Sequence, residues 1–183
     1  MTANVNSGST YLITNVKAGT AMDSSAGDNT TGKFILPYTA QSCSNIELVL
    51  GWPVNGDNGS ANQHVCATLF VISFSPAHDR LWKWAMSWTG SAWTFQNVWT
   101  GKFLTAVGTN DGANITATDT PFGWDIWRDE NDPNTFRIFV PNTHENLDLW
   151  GNGLATPGNP ITLWWTWNGL HQTWNFTEGT GFM

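Results

Sequence analysis

Charge is scarce in this chain, and positive charge most of all. Charged residues make up 11% of 183 positions and only seven are Lys or Arg, against a usual charged share of about 25%. Seven cations cannot neutralise many phosphates, and the formal net charge of −7 repels polyanions, so nucleic acid and anionic membrane are disfavoured partners. No stretch approaches the roughly 18 apolar residues of a membrane-spanning helix. The opening "MTANVNSGSTYLI" lacks the basic and apolar regions of a secretory signal, which gives the expectation of a cytoplasmic product. Cysteine is limited to Cys43 and Cys66, and a cytosolic address favours free thiols over the loop-closing disulfide that their spacing would allow. Sequons at Asn29, Asn58, Asn114 and Asn175 matter only in a secretory route and are expected to be unmodified.

Catalytic signatures are missing as well. There is no GxSxG, HExxH, Walker loop, CxxC or cofactor-binding glycine fingerprint, and His64, His78, His144 and His171 do not stand at metal-ligand spacing. No enzymatic role, metal or cofactor is expected. The acidic run "RDENDPN" (128–134) reads as a solvated turn.

What the chain does hold is glycine and tryptophan, 18 and 13 of them, a composition of turn-rich β-structure in a single domain. The β-structure is repetitive. "YLITNVKAGTAMD" (11–23), "WTFQNVWTGKFLT" (93–105) and "FRIFVPNTHENLD" (136–148) superpose without gaps, each an aromatic-led strand, a turn and a short returning strand. Each hairpin is followed by an apolar run ending in tryptophan: "LFVISFSPAHDRLWKW" (69–84), "NITATDTPFGWDIW" (114–127) and "PITLWWTWNGLHQTWNF" (160–176). Trp82, Trp124 and Trp174 then occupy matching places and are expected to be core rings.

Three units of four short strands predict a closed barrel capped by hairpins, because no unit can bury its own apolar face and closure removes exposed sheet edges. The units span 8–90, 91–133 and 134–178. The first is longer than the others by about 40 residues, and the excess is placed at 27–66, an insertion read as an extended surface loop with room for its own hairpin. A rival register matches "LVLGWPVNGDNGSANQHV" (48–65), with Trp52 and Gln63, to the third unit, but it orphans two good strands in 69–84.

With these pieces in order, the chain resembles the ricin-B-like β-trefoil lectins, in particular the small mushroom lectins of that group. The match runs over 8–178 apart from the insertion, and its most specific part is the third unit, with "NLDLWGNG", "PITLWWTWNG" and "HQTW" in succession. The family's Gln-x-Trp signature is intact once, at Gln172-Thr173-Trp174, and degraded to Arg80-Leu81-Trp82 and to the "FGW" that ends at Trp124. The resemblance implies an all-β trefoil and a non-catalytic carbohydrate-binding protein for galactose- or N-acetylgalactosamine-type glycans, with a defensive use against nematodes or insects. Carried over residue by residue, it makes Asp148 the acceptor for sugar hydroxyls, Trp164 the ring under the pyranose, and His171 and Gln172 the polar complement. Trp167 and Asn168 lie between and line the same pocket, with one of Trp165 and Trp167 expected to pack inward. A second site is implied in unit one at Asp23, Phe74, His78 and Asp79, while Thr105 replaces the acid in unit two and leaves that site empty.

The chemistry stands beside the resemblance. A pyranose offers a face of C–H groups to an indole and a rim of hydroxyls to a carboxylate and amides. Three or four hydrogen bonds plus stacking predict millimolar to micromolar affinity, so useful avidity calls for several sites or a homodimer. The alternative is a protease inhibitor acting through surface loops, for which the 27–66 insertion would serve.

Overall fold

The computed structural model describes residues 5–24, 33–34, 36–39, 83–156 and 159–179. Thirteen strands run in chain order: β1 (Thr10–Asn15), β2 (Thr20–Asp23), β3 (Lys33–Phe34), β4 (Leu36–Thr39), β5 (Lys83–Trp88), β6 (Trp93–Asn97), β7 (Phe103–Ala106), β8 (Ile115–Thr118), β9 (Asp125–Arg128), β10 (Phe136–Phe139), β11 (Glu145–Leu149), β12 (Ile161–Trp165) and β13 (Trp174–Glu178). All the pairings are antiparallel.

Six strands close a ring. β1 pairs with β5 and β13, β5 with β6, and β10 with both β9 and β13. The last seam, from β6 to the start of β9, is a two-bond bridge in which Trp93 and Trp124 exchange backbone hydrogen bonds of 2.8 Å in both directions. Three hairpins, β2–β4, β7–β8 and β11–β12, cap one end. This is a β-trefoil, and the closed barrel leaves its six central strands without a free edge.

The pseudo-threefold symmetry shows in the core. Ile13, Phe95 and Ile138 are fully buried at equivalent places on β1, β6 and β10, as are Met22, Leu104 and Leu147 on the returning strands. Three buried indoles tie barrel to cap: Trp84 Nε1 donates to the Met22 carbonyl at 3.1 Å, Trp124 to Leu104 at 3.0 Å and Trp174 to Leu147 at 3.2 Å. Each indole thereby satisfies its one donor without leaving the apolar interior.

These bonds correct one expectation. The unit-one counterpart of Trp174 is Trp84, not Trp82, since Trp84 pairs with Tyr11 as Trp174 pairs with Phe136 and Trp124 with Trp93. Two tryptophans two residues apart give the sequence no means of choosing, whereas barrel register does. The degenerate signature of unit one is therefore Trp82-Lys83-Trp84, and Trp82 itself lies outside the described residues.

The insertion also reads differently. β3 and β4 fall inside 27–66, and β4 is not extra: Asp23 opposes Leu36 on it as Asp148 opposes Thr162 on β12. Tyr38, rather than Phe74, accordingly holds the register position of Trp164. The third strand of unit one was missed because Leu36–Thr39 is short and carries a proline, which sequence reasoning reads as a break. Cys43, Cys66 and the rival register at 48–65 lie outside the described residues.

Because the indole-to-carbonyl bonds brace the cap, Trp174→Phe, which keeps an aromatic ring but removes the N–H to the Leu147 carbonyl and the pyrrole half of the indole, will cost about 1–3 kcal/mol. Trp174→Ala will cost about 3–5 kcal/mol, both read from urea-unfolding midpoints.

Candidate functional site

β11 presents two faces, and both are covered. Leu147 and Leu149 point into the core, while Asn146 and Asp148 alternate to the other side, where the segment 166–172 closes over them. Asp148 is consequently only 4% exposed, far more covered than the role of a sugar-hydroxyl acceptor that the resemblance gives it would suggest.

Gln172 holds that carboxylate. It ends a one-turn 3-10 helix, Leu170–Gln172, just before β13 begins. Its Nε2 donates to Asp148 Oδ2 at 2.9 Å and to the Trp165 carbonyl at 3.1 Å. Its Oε1 accepts from Arg137 Nη1 at 3.0 Å, the Trp167 N–H at 3.1 Å and Asn146 Nδ2 at 3.3 Å. An amide has two donors and one twice-accepting oxygen, so Gln172 is saturated and its orientation is fixed.

Arg137 is buried too, and its charge is met by Asp129, 2.6 Å from Nε. Burial pushes the Asp129 carboxyl up, but the Arg137 hydrogen bond, the N–H groups of Asp132 and Asn131 and the guanidinium charge together hold it below its usual value. "RDENDPN" is thus not a wholly solvated turn, since Asp129 is 4% exposed. Sequence reasoning missed Asp129, Arg137 and Asn146. The available signal was an arginine between two core residues, where the other units have Leu12 and Thr94, because a cation buried there demands a partner.

Burial is also the main reason the Asp148 carboxyl is pushed up to about 6. Hydrogen bonding from Gln172 and, more weakly, from the Trp167 side chain restrains the rise, and the Asp111 charge adds to it. His171, 2% exposed, has its Nε2 3.3 Å from Asp148 Oδ2, yet neither ring nitrogen makes a well-formed hydrogen bond. Burial first, then the charges of Lys17 and Arg137, hold its pKa down, so at neutral pH a neutral imidazole lies beside a largely ionised carboxylate. The ring is tightly enclosed: a Cβ at Gly169 would stand 2.2 Å from His171 Cε1, and one at Gly153 would stand 2.8 Å from its Cβ.

The aromatic wall comes from β12 and the turn before it. Thr162 opposes Asp148, so Trp164, two residues along, projects from the same face. Trp164 is half-buried, donates its N–H to Thr162 Oγ1 at 3.1 Å and lies against the Trp150 ring, with centroids 5.9 Å apart and planes at 45°. Trp150 belongs to the short turn Trp150–Gly153 and was not anticipated as part of the site. Neither Trp165 nor Trp167 packs inward, as they are 57% and 55% exposed. β12 ends at Trp165, so strand alternation does not extend to Trp167. Trp165 lies beside His144 with centroids 4.6 Å apart, and Trp167 meets His171 edge-on at 5.1 Å. Asn168 is exposed, and its side-chain oxygen accepts from Asn131 at 3.5 Å.

The structure therefore brings Asp148, Trp164, Trp167, His171 and Gln172 together, with Asn168 at the margin. In unit one Asp23 is buried on β2, while Phe74, His78 and Asp79 lie outside the described residues. In unit two the polar cluster is replaced: Thr105 and Thr118 share a hydroxyl contact of 2.8 Å, and Phe122, in the place of Gln172, packs on Trp124 at 4.8 Å.

Two outcomes are expected. A carboxyl raised in the folded state contributes stability that is present below its unfolded pKa and lost as pH climbs through about 6. Asp148→Asn should therefore gain on the wild type in thermal melts as pH rises from 4 to 8, by on the order of 2–3 kcal/mol at the upper end. Gly169→Ala must displace the imidazole and should lower stability by about 1–3 kcal/mol in the same melts.

Comparison with known proteins agrees with this fold. Residues 79–164 match the family model described as ricin-type beta-trefoil lectin domain-like. The ricin B-like lectin of Macrolepiota procera, solved in complex with lactose, is 40% identical, with 95% of this chain and 98% of that one covered at a TM-score of 0.69. The Rhizoctonia solani agglutinin (19% identity, 97% and 100% covered, TM-score 0.68) shares the fold. So does the C-terminal half of an earthworm R-type lectin solved with GalNAc (11% identity, 93% and 99% covered, TM-score 0.58). No curated protein sequence gives a significant match. With a lectin of that fold 40% identical over nearly its whole length, the chain belongs to the ricin B-like lectins.

Proposed function

We propose that this lectin binds galactose- or N-acetylgalactosamine-terminated glycans without chemically altering them, through the Asp148–Trp164 site of lobe three. The observation that carries the reading is the Gln172-held carboxylate on the same face as the half-buried Trp164 ring. The ring suits the C–H face of a pyranose, and an ionised acceptor suits its hydroxyls better than any neutral group. Support for the sugar class comes from the 40% identical lectin solved with lactose and from the earthworm lectin solved with GalNAc.

Lobe one offers a second candidate site at Asp23, with Tyr38 in the register position of Trp164. The inhibitor alternative rests on 27–66, most of which lies outside the described residues, and nothing in the described geometry favours it.

Titration calorimetry with lactose tests the reading. Asp148→Ala and Trp164→Ala should each remove one binding event, and Asp23→Ala with Asp148→Ala should remove all of them. Lactose bound with unchanged stoichiometry in both lobe-three variants would overturn the assignment. Because the ionised Asp148 is the acceptor, affinity at this site should fall as pH drops below about 6, roughly tenfold for each further pH unit.

A further inference from the structure

Among the described strands β12 lies at an edge, and that edge is met from lobe two. The tip of the β7–β8 hairpin reaches across to it: the Leu163 N–H donates to the Ala113 carbonyl at 2.9 Å, and the Leu163 carbonyl accepts from the Gly112 N–H at 2.8 Å. Two residues further along, the contact passes to side chains. The Trp165 N–H donates to Asp111 Oδ1 at 2.7 Å, and the Trp165 carbonyl accepts from Gln172 Nε2 at 3.1 Å. The last residue of β12 is thus held by a carboxylate from one lobe and an amide from the next.

The turn that carries Asp111 is shaped for this reach. The Ala113 N–H donates to the Asn110 carbonyl at 3.0 Å, Gly112 between them takes a φ of +78°, and Asn110 Nδ2 donates to the Asp111 carbonyl at 3.0 Å. Glycine enters that left-handed conformation without steric cost. Asp111 itself is exposed, so burial does not explain its place. The Trp165 N–H does, because a backbone donor at a strand edge calls for an acceptor.

Trp165 matters through what its carbonyl orients. Gln172 Nε2 carries two hydrogens: one goes to Asp148 Oδ2 at 2.9 Å and the other to the Trp165 carbonyl. The direction of the bond to Asp148 therefore follows the position of Trp165. We infer that Asp111 is a positioning residue for the lobe-three sugar site: by holding the end of β12 it sets the Gln172 amide, which in turn holds the Asp148 carboxylate. The inference rests on the lectin reading of this site and adds that lobe two, whose own polar cluster is replaced, serves the site of its neighbour. Asp111 acts through Trp165 and Gln172, and not by touching the sugar.

The test uses the full chain, lactose and the calorimetric binding event that Asp148→Ala removes. Asp111→Ala should weaken that event about threefold to tenfold. Asp111→Asn, which keeps an acceptor oxygen for the Trp165 N–H, should restore the affinity to within about twofold of wild type. Hydrogen exchange at the Trp165 amide gives the local readout, faster in Asp111→Ala and protected in Asp111→Asn. A merely stabilising contact would lower the unfolding midpoint of Asp111→Ala and leave its lactose affinity at the wild-type value, which overturns the inference. An equal loss of affinity in both variants also overturns it, since the charge and not the acceptor would then be responsible. If Asp148→Ala removes the event while Asp111→Ala does not weaken it, the role of Asp111 alone fails. If Asp148→Ala binds as wild type, the site assignment fails and takes the role of Asp111 with it.

Discussion

The third lobe is organised by one primary amide. Gln172 makes five hydrogen bonds, to a carboxylate, a guanidinium, a second amide and two backbone groups, and it makes them in a space closed to water. No isosteric substitute does this. Glutamate would set a second negative charge against Asp148, and methionine would take one hydrogen-bond partner from each of the five groups in a medium where such losses are costly. Two residues later Trp174 fills the barrel and braces the cap through Leu147. The Gln-x-Trp triplet thus couples the carboxylate of the site to the core at a fixed distance.

The same reasoning explains why pseudo-symmetry in the core does not extend to the surface. Core positions tolerate exchange among apolar residues of similar volume, as Ile13, Phe95 and Ile138 illustrate. A buried polar network has no such latitude and must be complete or absent. Lobe two takes the second course: Phe122 replaces the amide, Thr105 replaces the acid and pairs with Thr118, and no buried charge remains to be supported there. Lobe one keeps Asp23 but has Trp82 at the amide's position, so its carboxylate must be oriented by other groups than those in lobe three.

The fold was legible because barrel closure imposes a repeating aromatic-led hairpin, and alternation within it is set by burial. The position of β4 was not legible, because Leu36–Thr39 is short, broken by Pro37 and assigned only through its pairing with Thr20–Asp23. Nor was the choice between Trp82 and Trp84, which register alone decides. Within the site, Asp148, Trp164 and Gln172 were placed by the family resemblance, and in the fold Gln172 does hold Asp148. The burial of Asp148 was not, because it depends on where 166–172 folds back. That path is set by Arg137 and Asp129, which are brought together across the turn between β9 and β10.

Burying the acceptor has a consequence for recognition. In water an ionised carboxylate gains little from one more hydroxyl, because it exchanges one good partner for another. In the folded protein Asp148 is already largely desolvated, and folding has met that cost, as the upward displacement of its carboxyl shows. A hydroxyl that reaches it would form its bond where the local dielectric makes it strong. Under the proposed function, selectivity then depends less on the number of contacts than on whether the ligand places a donor at that carboxylate.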